Sequence, residues 1–168
     1  MKALALPVCL LGLLTIASAD ALRDQINSMS AAVGKSLMAK DIVGFAKAIK
    51  PGVTADFKYL DNPTAKPMNF DQMVAGMKMG VGSYTKVTVA EARILSVKPA
   101  GDSATVLMSH KMAGLITGPD KKSHVQSFTG ISIDTYKKVG GAWKMASMTI
   151  KSSEMKMDGK PMQMPAGK

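Results

Sequence analysis

Apolar residues recur at helical spacing early in the chain and at alternating spacing later. Leu22, Ile26, Met29, Val33 and Leu37 are four, three, four and four positions apart, which places them on one helical stripe. Gly34 interrupts that stripe and weakens it. Asp41 is placed to cap a second helix whose apolar residues are Ile42, Val43, Phe45, Ala46 and Ile49, and Lys50-Pro51-Gly52 ends it. Val53 to Leu60 reads as a short strand turned by Asp61-Asn62-Pro63. Asn69, with Gln72 three residues on, has the form of a capping box. It opens a third helix with Phe70, Met73, Val74 and Met77 on one side and Gly80 and Gly82 at its close.

From Tyr84 to Asp158 four strand candidates follow, broken at Lys98-Pro99-Ala100-Gly101-Asp102, Gly118-Pro119-Asp120-Lys121 and Gly140-Gly141. Helices first and a meander afterwards define one α+β domain, with N-terminal helices packed on one face of a bent antiparallel sheet. In the first strand Val87, Val89, Leu95 and Val97 share a parity that Ile94 breaks, which predicts a bulge. In the second, Ala104, Val106, Met108, His110 and Met112 share a face, with Leu107 and Leu115 opposite. In the third, Val125, Ile131, Ile133 and Val139 oppose Phe128 and Tyr136. In the last, Trp143 and Met145 fall on one parity, Met148 and Ile150 on the other. Apolar residues on both parities predict a sheet buried on both faces, and so a homodimer through its outer face.

Residues 1–19 have the form of a signal peptide: Lys2, an apolar run from Ala3 to Ile16, and the small-residue site Ala17-Ser18-Ala19. The expectation is a secreted or periplasmic protein starting at Asp20, with a domain over residues 20–158 and a Pro/Gly-rich, flexible tail over residues 159–168. A retained anchor is the alternative. Cys9 is the single cysteine and lies in the leader, so the mature chain has neither disulfide nor thiol chemistry. No later segment is long and apolar enough to suggest a membrane partner after cleavage. The net charge is +10, or +9 once Lys2 is lost. The lysines are dispersed, Arg23 and Arg93 are the only arginines, and aromatics make up 5% of the chain. That composition fits a solvated basic surface rather than a nucleic-acid site.

Several segments together carry a resemblance. They are Lys-Asp-Ile-Val-Gly-Phe at Lys40 to Phe45, Ala-Asp-Phe-Lys-Tyr-Leu-Asp at Ala55 to Asp61, and Phe-Asp-Gln-Met-Val-Ala-Gly-Met at Phe70 to Met77. Gly-Gly-Ala-Trp-Lys-Met at Gly140 to Met145 follows, then Ser153-Glu154 and Met157-Asp158-Gly159-Lys160. Across almost the whole mature chain this order resembles the nuclear transport factor 2-like, or SnoaL-like, superfamily, and within it the small exported bacterial members. The resemblance implies a cone-like fold in which a strongly curved sheet wraps three helices and leaves a pocket at the open end. It also implies dimers through the outer sheet face, as in many members. The superfamily includes ketosteroid isomerases, polyketide cyclases, limonene epoxide hydrolase and dehydratases, so the fold does not choose a function.

Proton abstraction beside a carbonyl needs a carboxylate base and a donor for the developing oxyanion. Asp56, Tyr59, His110 and Glu154 are the polar candidates. His110 shares its strand face with Val106, Met108 and Met112, a setting for a shifted pKa and equally for a core histidine bonded to one neighbour. Asp56 can simply cap or turn, Tyr59 can pack with Phe57, and Glu154 lies in a Ser/Lys-rich strand end that reads as solvated. No pair stands at a spacing that demands catalysis, so catalytic residues stay unassigned and an enzymatic role stays open. The pocket lining is assigned to Phe57, Tyr59, Met73, Met77, Met108, His110, Phe128 and Trp143, and the expected function is binding of a small, largely apolar ligand. An enzyme of the ketosteroid-isomerase or polyketide-cyclase type is the alternative. The chain also holds 15 methionines, among them the pairs Met155-Lys-Met157 and Met162-Gln-Met164. Thioethers suit Cu(I), which makes copper a second alternative, although methionine is also an adaptable core filler. No cofactor is expected, and with His110 and His124 the only histidines no zinc site is assigned.

Overall fold

The computed structural model describes residues 9–162, with side chains from residue 19 onward. The first part of the leader assignment, and Met164 with the end of the expected tail, lie outside the described residues. The elements are α1 (Cys9–Met38), α2 (Ile42–Ile49), a 3-10 turn (Lys50–Gly52), β1 (Val53–Leu60), α3 (Phe70–Gly82), β2 (Tyr84–Ala100), β3 (Ser103–Thr117), β4 (Ser123–Val139), β5 (Ala142–Met157) and β6 (Lys160–Pro161). Three helices therefore pack on a six-stranded sheet ordered β1-β5-β4-β3-β2, with β6 paired to β5. The architecture is α+β, as the element order predicts.

Local signals start and stop the helices. The Asp41 carboxylate accepts from the Gly44 amide at 2.8 Å at the start of α2. At α3 the box closes both ways: the Gln72 amide donates to Asn69 Oδ1 at 2.9 Å and the Asn69 amide to Gln72 Oε1 at 2.9 Å. β2 to β5 form the expected antiparallel meander, whereas β1 lies parallel to β5. A parallel neighbour requires a long crossover, which α3 and the whole meander supply.

The register of β5 resolves the mixed parity of its apolar residues. Thr135 faces Ser147 but Tyr136 faces Met145, so Ala146 is skipped; Ile131 faces Ser152 but Ser132 faces Ile150, so Lys151 is skipped. Each extra residue reverses the alternation. Trp143, Met145, Met148 and Ile150 thus all fall on one inner face, and their change of parity reflects a bulge rather than two buried faces. The same holds in β2, where register shifts separate Val87 from Val89 and Ile94 from Ser96, and the bulged Leu95 stays 52% exposed. Leu107, Ile131 and Ile133 remain on the outer face, half-buried.

The core lies between the helices and that inner face, with Leu22, Ile26, Phe45, Phe57, Val106, Tyr136 and Met145 among its buried members. Gly34, which weakens α1 as a helix, is explained by contact. A Cβ there would stand 2.6 Å from the Ala90 carbonyl oxygen, so only glycine lets α1 lie against the β2 backbone. Gly34→Ala is expected to lower stability by about 1–3 kcal/mol through overpacking, although alanine favours a helix by about 1 kcal/mol. Urea unfolding tests this, and a midpoint that stays or rises would show that the helix can move away freely.

Candidate functional site

Strands β3 and β4 build a polar string into the apolar inner face. His110 faces Gly130, Met108 faces Ser132, Val106 faces Asp134 and Ala104 faces Tyr136, so all these side chains share one side. Ser132 is fully buried, and Asp134 and Tyr136 are each 1% exposed. His110 Nε2 lies 2.8 Å from Ser132 Oγ, and Ser132 is near enough to the Asp134 carboxyl to favour its ionised form. Burial lowers the His110 pKa and so favours the neutral ring. A neutral ring with its proton on Nε2 donates to Oγ, which leaves the hydroxyl proton to donate to Asp134.

Asp134 is the unusual member. Burial raises its pKa to about 7, against the opposing effect of Ser132. Burial, and then the nearby Asp134 charge, raise the Tyr136 pKa, so its hydroxyl stays a neutral donor. Asp134 Oδ1 and the Tyr136 hydroxyl have no hydrogen-bond partner among the described residues. Each such buried group costs about 1–3 kcal/mol. A carboxyl poised near neutrality beside a neutral phenol can give or take a proton and can hydrogen-bond a carbonyl oxygen.

The string ends at an apolar rim. Gly130 has no side chain, and the Phe128 ring occupies the space beside it: a Cβ on Gly130 would lie 2.9 Å from Phe128 Cζ. The ring therefore folds along β4 next to His110, the cross-strand partner of Gly130. Met112, Phe128 and Met155 form one row across β3, β4 and β5, and all three are half-buried.

Of the residues assigned to a pocket from the sequence, His110 and Phe128 meet here, and Met108 lies opposite Ser132. Phe57 (4% exposed), Met73 (7%) and Trp143 (5%) pack within the core, Phe57 edge-on to Phe70 with ring centroids 6.3 Å apart. Tyr59 and Met77 pack half-buried against that core. Asp56 is exposed, its pKa lowered chiefly by a hydrogen bond from Thr54, and Glu154 pairs with Lys156 at 3.0 Å. Neither joins the string. Ser132, Asp134 and Tyr136 were not among the candidates. The signal for them is parity: they alternate with Ile131 and Ile133, in phase with Phe128. Two cavities are present among the described residues: one of about 490 Å³, lined by His110 and Gly130 together with the outer-face residues Glu91, Arg93, Lys111 and Glu154, and one of about 320 Å³ between α1 and β2, apart from the string.

This architecture is the nuclear transport factor 2-like fold. A superfamily protein of that name from Salmonella enterica aligns with a TM-score of 0.57 at 12% identity over 82% of this chain and 92% of its own. A provisionally assigned scytalone dehydratase from Novosphingobium aromaticivorans aligns at 0.56 with 15% identity over 82% of this chain and 87% of its own. A protein with this fold and unknown function from Pseudomonas putida aligns at 0.52 with 20% identity over 81% of this chain and 87% of its own. At such identities the likeness is one of fold. No protein-family profile and no curated protein matches the chain. Among the described residues no helix is long and apolar enough to cross a membrane, and no group of three or more His, Cys, Asp or Glu is arranged to hold a metal ion.

The buried acid has a measurable signature. The folded chain holds the Asp134 proton up to about pH 7, whereas an unfolded chain releases it near 3.8. The stabilisation from this group is therefore complete below about pH 4 and is lost as pH rises through about 7. Asp134→Asn removes that dependence. At about 1.4 kcal/mol per unit, the variant should gain on the native chain by up to about 4 kcal/mol between pH 4 and pH 8. Denaturant unfolding at both pH values tests this, and a constant difference would mean that Asp134 titrates like an exposed acid.

Proposed function

We propose that this chain is exported and binds a small, largely apolar molecule with one polar end in the hollow between helices and curved sheet. The observation that carries the reading is the buried string His110–Ser132–Asp134, incompletely satisfied and ending at the half-buried Phe128. The apolar body of the ligand takes the place of the Phe128 ring over Gly130, and its polar end hydrogen-bonds His110. Met108 and the core aromatics form the wall behind it. Removal of residues 1–19 leaves Leu22, fully buried on α1, on the mature chain.

The outer sheet face meets a second copy across a two-fold axis. Leu107, Ile131 and Ile133 supply apolar area there. The outer depression carries both signs of charge, Arg93 and Lys111 with Glu91 and Glu154, so it can complement itself. Native mass spectrometry of the exported protein tests these points together. The expected species is a pair of chains beginning at Asp20, with an added mass that leaves on denaturation and is absent from His110→Phe. Bare polypeptide in both samples would sink the ligand, and a single copy would sink the two-fold pairing.

An enzyme that moves a proton beside a carbonyl is the second reading, favoured by Asp134 and Tyr136. Ionised Asp134 would take the proton and the Tyr136 hydroxyl would hold the developing oxyanion. Deuterium uptake beside the carbonyl of an added cyclic ketone, followed by NMR in D2O, should occur with the native chain and stop with Asp134→Asn. Equal uptake by the two proteins would end this reading.

A further inference from the structure

We propose that the hairpin of β5 and β6 carries a site for a soft monovalent metal ion, Cu(I), built from the thioethers of Met155, Met157 and Met162. Lys156 pairs with Pro161 and Met157 with Lys160, and the Met162 amide donates to the Met155 carbonyl at 2.8 Å. Met155 and Met162 are therefore directly opposed, and Met157 lies two residues along β5 on the same side. Opposed Cβ atoms in such a pair are about 5 Å apart and same-face neighbours along a strand about 7 Å. Flexible, unbranched methionine side chains can bring their sulfurs from those positions to one point.

The hairpin is held in advance of any ion. Asp158 (φ 49°) and Gly159 (φ 79°) are both left-handed, the conformation of a two-residue type I′ turn. Asp158 is fastened to β4: its amide donates to the Val125 carbonyl at 2.8 Å, and its Oδ1 accepts from the Val125 amide at 2.9 Å. Its Oδ2 lies 2.6 Å from His124 Nδ1, and His124 Nε2 lies 2.9 Å from Asp120 Oδ1 in the β3–β4 turn. A site fixed by its surroundings loses less entropy on binding.

The three methionines are not core filler. Met73, Met108 and Met145 belong to the buried cluster, whereas Met155, Met157 and Met162 are half-buried and outside it. The Met155 sulfur already acts as an acceptor, taking a hydrogen bond from Gln126 Nε2 at 2.9 Å. Gln126 faces Met157, so the amide stands among the thioethers and can turn away from an arriving ion. Neutral soft sulfurs select Cu(I) over Zn(II), Mg(II) or Ca(II), which seek imidazole, thiolate or carboxylate. Lys160 shares this side, but its charge acts on the Asp158 carboxylate. Met155 shares its row with Phe128, but His110, Ser132 and Asp134 take no part in the metal site, so metal uptake is read without the apolar ligand.

Anaerobic Cu(I) titration of the exported chain against the chromophoric chelator bicinchoninate provides the test, with Ag(I) uptake in native mass spectrometry as its counterpart. One ion per chain is expected. Met155→Leu and Met162→Leu conserve volume, and each should weaken binding at least tenfold. Met79→Leu, on α3 at 76% exposed, should leave binding unchanged. Copper-edge X-ray absorption of the native chain should report sulfur-only coordination. No retained ion, retention unchanged in the Met155→Leu/Met162→Leu double variant, or nitrogen and oxygen ligands at the copper would each overturn the proposal.

Discussion

Two skipped residues in β5, Ala146 and Lys151, set the geometry on which the molecule depends. A regular strand would send Trp143 and Met145 to one face and Met148 and Ile150 to the other. The bulge at Ala146 brings all four to the inner face, and each large apolar side chain so buried contributes about 1.5–3 kcal/mol. Such bulges also increase local twist and bend the strand. The second skip, at Lys151, reverses the alternation again and brings Met155 and Met157 to that same face. With Cys9 its one cysteine, the chain has no internal disulfide to support the core.

The bend divides the inner face into two environments. Leu22 and Ile26 of α1 belong to the same buried cluster as Trp143, Met145 and Tyr136, and the Gln25 side chain donates to the Trp143 carbonyl at 2.8 Å. The row of Met112, Phe128 and Met155 is only half-covered. The polar string runs between these regions, so its members differ in access: Ser132, Asp134 and Tyr136 are sealed, while His110 is next to the rim.

The fold was largely legible because its signals are local. The α1 stripe, the cap at Asp41 and the box at Asn69–Gln72 act within a turn or two of helix and survive intact in the structure. The inner-face assignment of β3 also held, since Ala104 through Met112 alternate without interruption. Three matters were not legible, each for a non-local reason. The parallel pairing of β1 depends on where a crossover lands. The bulges of β5 exist only relative to β4, so parity counted within one strand mistook a register shift for a second buried face. Asp134 was hidden by its neighbours: Ile131 and Ile133 look like the buried side, yet they are outside, and the acid between them is inside. His110 stood out because its own strand does not shift.

Asp134 also bears on what the inner face is for. A domain of this size is stable by about 5–15 kcal/mol. Holding an acid whose ionised form opposes folding by up to about 4 kcal/mol at neutral pH, with one oxygen unpartnered, is a large fraction of that. Valine or leucine at this position would remove the opposition and add apolar burial. The imbalance cannot be assigned to packing, because the inner residues on either side, Val106 and Met108 across β3, satisfy packing without polar atoms. A hydrogen-bond partner for Asp134 Oδ1 and the Tyr136 hydroxyl would offset part of it. A ligand able to do so binds with that relief added to its apolar contacts, and one lacking a polar end does not. Under the proposed ligand-binding function the string would ask of an occupant a body that tolerates phenylalanine and methionine, and one hydrogen-bonding group at its leading end.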